Sequence, residues 1–284
     1  MKTYVAFRVT ACFPKGFTTL IHCIVVILLK LVESIHKLRY IGHPYLIRRA
    51  VFLPIERHQN GKRRSRVEEY SRYSASFEDA MSRLVGTTET ELQKLLGELE
   101  EGGFLQHIRS CLDELGMNHE NRIRWGSLFY VLVRVLRPKV TVETGVANGV
   151  SSSFFLLALA RNGNGVLYSF DLHCREGLTV PKGKKLGWII PDYLKSRWRL
   201  VLGESTRQIP KLIKEMKGID IFLHDSSHIY ETMMGEYTLV WPHLDFGGIL
   251  LSDDAYTNDA FLDFSQSVGL APVCYQGVCA IRKI

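Results

Sequence analysis

The segment Val140-Thr141-Val142-Glu143-Thr144-Gly145-Val146-Ala147-Asn148-Gly149 constrains the fold more than any other part of the chain. A β-branched run ends in an acid. Two glycines follow at a spacing of four, and an apolar helical pattern starts after the second. A strand that passes through a glycine-rich turn into a helix is how open α/β sheets receive a nucleotide-like ligand. Glycine leaves room at such a turn because it has no Cβ. Glu143 narrows the choice of ligand. A dinucleotide turn, G-x-G-x-x-G, offers bare N–H groups to a pyrophosphate. Here E-x-G-x-x-x-G sets a carboxylate beside the bend, which repels phosphate and attracts an ammonium group.

From about residue 122 short apolar runs alternate with helical ones. Strands are expected over 139–143, 166–171, 199–202, 219–224, 248–252, 272–275 and 278–282. Helices are expected over 127–136, 150–161, 206–216, 230–241 and 257–267. Strands separated by helices imply a parallel sheet covered on both faces. The last two strands are separated only by Gln276-Gly277, so they form a hairpin and one of them runs antiparallel. The expected class is α/β: a Rossmann-like seven-stranded, mostly parallel sheet with a terminal antiparallel hairpin, plus an N-terminal helical extension. The chain divides into a basic N-terminal segment (1–66), a helical region (67–121) and the α/β domain (122–284). Within the helical region Ser76, ahead of Glu78-Asp79, reads as a helix cap, and Gly102-Gly103 as an interruption.

The net charge of +7 is unevenly spread. Residues 1–66 hold 13 Lys and Arg against Glu33 and Glu56, whereas residues 67–284 carry a net −4. The basic character therefore lies outside the α/β domain, which argues against a nucleic-acid-binding face. Residues 17–32 are strongly apolar but contain His22 and Lys30. The stretch is shorter than the ~20 residues of a spanning helix and lacks a small-residue cleavage site. Basic residues follow it. The readings are membrane contact, with the main domain cytoplasmic and tethered to the cytoplasmic face, or a helix packed on the α/β domain or on a second copy in a homo-oligomer. Gln59 to Ser65 reads as a polar linker. The six cysteines form no C-x-x-C pair, which argues against a zinc site. Cys274 and Cys279 flank the hairpin turn and could face each other, but the reading favoured is buried, reduced thiols in a reducing cytosol.

Further acids stand at strand ends. Asp171 closes the second strand, where an acid accepts ribose hydroxyls. Gly203-Glu204-Ser205 follows the third, with Ser205 also a candidate N-cap. The fourth strand ends in His224-Asp225-Ser226-Ser227-His228 and the fifth in Ser252-Asp253-Asp254. Neighbouring strand ends share one rim of a parallel sheet. Asp225, Asp253 and Asp254 would converge there and repel one another unless a hard cation such as Mg²⁺ neutralised them. His224, adjacent to Asp225, would point to the opposite face as a core or supporting histidine. Trp188, Tyr230, Glu231 and Tyr256 are candidates for a pocket lining.

Over about 122–284 these motifs resemble the class I S-adenosylmethionine-dependent methyltransferases. The likeness is to methyltransferase family 24 and to metal-dependent O-methyltransferases of the catechol and macrolide-sugar types. S-adenosylmethionine carries an ammonium and no phosphate, as Glu143 requires. The resemblance implies that Glu143 holds the methionine amino end, that Gly145 and Gly149 make room for methionine and ribose, and that Asp171 takes the ribose. It places Ser205 near the adenine, gives Asp225, Asp253 and Asp254 as Mg²⁺ ligands, and makes His228 the catalytic base. An imidazole titrating near ~6.5 suits that task. The substrate would be a small molecule with a free hydroxyl: a vicinal diol, sugar or phenol. Two alternatives stay open. One is an NAD-linked Rossmann oxidoreductase, in which Asp171 would serve equally. The other is a membrane-tethered binding module that has lost its chemistry.

Overall fold

The computed structural model describes residues 66–172 and 180–284. The apolar stretch 17–32, the linker 59–65 and Cys174 lie outside them. The described residues fall in one compact unit. Four helices come first: α1 (Val67–Ser71), α2 (Phe77–Val85), α3 (Glu89–Glu100) and α4 (Phe104–Glu114). Ser76 caps α2 by accepting from the Asp79 N–H at 3.1 Å, as its spacing predicts. The interruption at Gly102-Gly103 is real, with φ of +75° and +74°.

The α/β part follows as α5 (His119–Leu136), β1 (Val140–Thr144), α6 (Val150–Asn162), β2 (Val166–Asp171), β3 (Trp198–Leu202), α7 (Ser205–Glu215), β4 (Ile219–His224), α8 (Tyr230–Val240), β5 (Leu244–Ser252), α9 (Ala260–Ser267), β6 (Val273–Tyr275) and β7 (Val278–Arg282). The strands lie in the order β3-β2-β1-β4-β5-β7-β6. β1 to β5 pair in parallel, and β7 runs antiparallel to β5 and β6. The hairpin turn has positive φ at both Gln276 and Gly277, the geometry that suits the strand twist. The expected α/β class and the terminal hairpin are therefore as read from the sequence.

α5 begins eight residues earlier than its apolar pattern indicates. Asn118 caps it by accepting from the Asn121 N–H at 2.9 Å, and its first turn is polar and mostly exposed. It ends where Arg137 turns left-handed, at φ 51°, ahead of Pro138.

Strand alternation sorts the core into two layers. Ile221, Leu223, Ile249 and Leu251 pack with α2 to α6. Phe222 and Leu250 pack with α7, α8 and α9. The helices before residue 122 thus share a core with the sheet. The hairpin cysteines overturn the reduced-thiol expectation. Cys274 and Cys279 are directly paired across β6 and β7, with Cα atoms 4.1 Å apart, and form a disulfide. Cys111 is a free, buried thiol whose pKa burial pushes up. Among the described residues no helix is long and apolar enough to cross a membrane.

α5 and α6 meet closely at Gly126, where a Cβ would lie 2.3 Å from the buried Phe154 ring. Alanine would improve helix propensity there by about 1 kcal/mol, while overpacking costs about 1–3 kcal/mol. The ring is fully buried and has no room to swing aside, so the clash wins. Gly126→Ala is expected to lower the urea midpoint. An unchanged or raised midpoint would contradict this packing.

Candidate active site

The strand order reverses between β1 and β4, and ligands of open α/β sheets bind at the carboxyl ends of such strands. The turn after β1 lies there. Gly145 has φ +85°, and a Cβ on it would sit 1.9 Å from the Asp225 carbonyl oxygen after β4. At Gly149 (φ +89°) a Cβ would come within 2.7 Å of Gly187 Cα and 3.0 Å of Ile190. The neighbours that require glycine at both positions are protein atoms. Residues 187–190 lie across the turn. The Gly187 and Ile189 N–H groups donate to the Ala147 and Asn148 carbonyls, and the Trp188 indole donates to Asn148 Oδ1 at 2.7 Å.

Asp171 grips the same turn. Its Oδ2 accepts from the Val146 N–H at 2.8 Å and the Ala147 N–H at 2.9 Å. The Gly145 N–H donates to the Phe170 carbonyl. The amides that a pyrophosphate would need are thus already taken, two of them by a carboxylate. This donor set suits a cationic or neutral ligand and weakens the dinucleotide alternative.

Glu143 is fully buried. Its carboxyl accepts from Ser151 at 3.0 Å, from Ser169 at 2.6 Å and from Ser152. Burial is the largest influence on its pKa, opposed by the three hydroxyls and reinforced by Asp171, and pushes it up to about 7. The side chain ties the start of α6 to β1 and β2 beneath the glycine turn.

Ser205 is the first residue of α7, and Glu204 occupies the N-cap position, which corrects the capping expectation. The Ser205 hydroxyl turns inward and donates to Glu236 on α8. Glu236 also accepts from Thr144 Oγ1 (2.7 Å), His224 Nδ1 (2.6 Å) and Ser226 Oγ (3.0 Å). Burial alone would raise its pKa, but the His224 charge and these donors hold it below the usual carboxylate range. His224 is fully buried, as a supporting residue should be. Its Nε2 has no hydrogen-bond partner among the described residues.

Beyond the end of β4, His228 is buried with Nε2 3.7 Å from Asp254 Oδ2. Its ring lies edge-on to that of His224, centroids 5.5 Å apart. Asp253 is buried and accepts the Trp125 indole N–H at 2.8 Å. Asp254, in contrast, is largely exposed, at φ 46°. Among the described residues no group of three or more His, Cys, Asp or Glu side chains is placed to hold a metal ion. The structure does not gather Asp225, Asp253 and Asp254 into a donor set, because Asp253 turns to Trp125 while Asp254 points outward beside His228. Of the suggested lining residues, Trp188 is bonded to Asn148, Tyr230 donates to Asp263 at 2.8 Å, Tyr256 stacks edge-on against Tyr70 and Glu231 is exposed. Sequence reasoning missed Glu236 and Trp125. A lone acid within Met233-Met234-Gly235-Glu236-Tyr237 was the available signal for the first.

Residues 142–255 match the family model described as a methyltransferase domain. No curated protein matches the chain. Among solved structures, a candidate caffeoyl-CoA O-methyltransferase from Staphylococcus aureus is similar at 12% identity and TM-score 0.50, over 69% of this chain and 100% of that one. An SAH-bound methyltransferase of Podospora anserina is similar at 13% identity and TM-score 0.47, over 70% and 97%. A calicheamicin methyltransferase is similar at 18% identity and TM-score 0.44, over 71% and 96%. At such identities the likeness is one of fold: the methyltransferase α/β fold.

Glu143 carries a testable pH dependence. Unfolded, its carboxyl loses its proton near the ordinary 4.5, whereas folded it keeps the proton up to about 7. Its contribution to stability is complete below about pH 4.5 and is lost as pH rises through 7, by on the order of 3 kcal/mol. Glu143→Gln removes that dependence. The stability of wild type relative to Glu143→Gln should therefore fall between pH 5 and pH 8, read from urea midpoints. An equal difference at both pH values would show that the carboxyl titrates normally.

Proposed function

We propose that the chain is an S-adenosylmethionine-dependent methyltransferase acting on a hydroxyl of a small molecule, a vicinal diol, sugar or phenol. One observation carries the reading: at the β1/β4 switch the glycine turn gives its amides to Asp171, so the rim is anionic and suits a phosphate-free, cationic cofactor. Leu172 and Leu202, both exposed, flank Asp171 at the ends of β2 and β3 and suit the face of a purine. Ser205, at the turn after β3, closes that side. Glu143 acts from below. With its carboxyl buried under the turn, it shapes the seat of the amino acid tail through Ser151 and Ser152.

When bound, S-adenosylmethionine supplies a methyl group whose bond to sulfur breaks as its bond to the substrate oxygen forms. The chain's own residues align the hydroxyl and receive its proton. His228 Nε2 is the proposed acceptor of that proton, and Asp254 beside it favours the resulting imidazolium. Removing a positioned base of this kind lowers turnover by about 100-fold or more. Among the described residues the three acids are not gathered as ligands, and the proton transfer is assigned to His228. Turnover abolished by EDTA and restored by Mg²⁺ would show that Asp225, Asp253 and Asp254 gather around a cation.

Calorimetry and labelled methyl transfer to a panel of diols test the reading. S-adenosylhomocysteine should bind, and NADH should not. Asp171→Ala should weaken that binding at least about tenfold, because the turn loses both amide contacts. His228→Ala should lower turnover about 100-fold while leaving the cofactor affinity within about twofold. NADH binding in place of S-adenosylhomocysteine, or equal loss of affinity in both variants, would overturn the assignment.

A further inference from the structure

Glu236 is a carboxylate in a place where the core would accept an apolar side chain. It is fully buried, and its neighbours along α8, Met233 and Tyr237, pack against the sheet. Burying an ion is unfavourable unless donors surround it. Here four do, and they come from three separate segments of the rim. Thr144 immediately precedes the glycine turn, and Ser205 follows the turn after β3. His224 and Ser226 bracket Asp225, two residues short of His228. Thr144 and His224 share Oε2, while Ser205 and Ser226 share Oε1. One carboxylate therefore joins the segments that seat the cofactor to the segment that carries the base.

We propose that Glu236 is a positioning residue for methyl transfer: it holds His224 with the proton on Nδ1 and fixes the 224–228 turn against Thr144, which sets His228 at its distance from the cofactor seat. The inference rests on the reading of the chain as a methyltransferase with His228 as base. His224 is the link. Its Nδ1–H is committed to Glu236, and its ring supports that of His228 edge-on. Ser226 provides a second, independent link through the same carboxylate.

Two measurements on the full chain decide it. The first reads the protonation of His224 in the wild-type protein. Two-bond ¹⁵N–¹H spectra of histidine-labelled protein, with His224 assigned through His224→Gln, should show its Nδ1 protonated. A His224 with Nδ1 bare and the proton on Nε2 would overturn the arrangement, since Glu236 could not then be the acceptor. The second is kinetic, with S-adenosylmethionine as donor and catechol as acceptor probe. Glu236→Gln keeps the shape and loses the charge. It should lower kcat by on the order of 10- to 100-fold, with the affinity for S-adenosylhomocysteine and the KM for catechol within about twofold. Should Glu236→Gln not fold, Ser226→Ala removes one donor from a half-buried turn and should lower kcat several-fold with the same split. An unchanged kcat, or a cofactor affinity that falls in step with kcat, would reduce Glu236 to a structural residue. A wild type that binds no S-adenosylhomocysteine would instead defeat the underlying reading. A wild type that binds it but ignores catechol would defeat the choice of acceptor, and the histidine spectrum would then decide the inference.

Discussion

The backbone after β1 passes so close to the backbone after β4 that no side chain fits at residue 145. A Cβ there would lie 1.9 Å from the Asp225 carbonyl oxygen. The approach is fixed by bonds on both sides: the Asp225 N–H donates to the Thr144 carbonyl, and the Gly145 N–H to the Phe170 carbonyl, each at 2.8 Å. The rim depends on this contact. It brings the turn after β1 and the turn after β4 within a few ångströms of each other at the reversal of strand order, where neither is covered by a crossing connection. Any larger residue at 145 would push the two halves of the site apart.

Three carboxyl groups surround that contact, and their surroundings send them in different directions. Glu143 is buried among neutral hydroxyls with Asp171 nearby, and burial wins, so its proton is held up to about 7. Glu236 is buried as deeply, yet a histidine and a ring of donors outweigh the same penalty and keep it ionised. Asp171 is only half-buried and accepts two backbone amides. Burial alone therefore does not decide the charge at the rim. The number and charge of the donors do, and this lets one edge of the sheet hold a neutral acid and an anion side by side.

The sheet was legible because its signals are local and periodic. β-branched runs, glycine turns and the two-residue gap at Gln276-Gly277 each act over a few residues. The site was legible only as a set of positions. Asp171 reads as a strand-end acid, but its partners are backbone amides, which leave no mark in the sequence. Gly149 reads as a residue that needs space, while the neighbour using that space, Gly187, lies in a segment without periodicity. Glu236 sits inside an apolar helix, and its donors are 10 to 92 residues away. Nothing short of the folded sheet brings them together. The same holds for the disulfide. Spacing allowed Cys274 and Cys279 to face each other, but only the register of β6 against β7 settles that they do.

Helix α5 is joined to the end of β5 by one polar contact as well as by the core. Trp125 lies on α5, whose buried face packs on α6 and the sheet, and its indole N–H reaches Asp253 at the end of β5. An indole can only donate, so the oxygen it meets must be an acceptor in every state of the site. That fixes one oxygen of Asp253. The helical layer thus does more than cover one face of the sheet. It orients the Asp253 carboxylate at the end of β5, next to Asp254 in the chain.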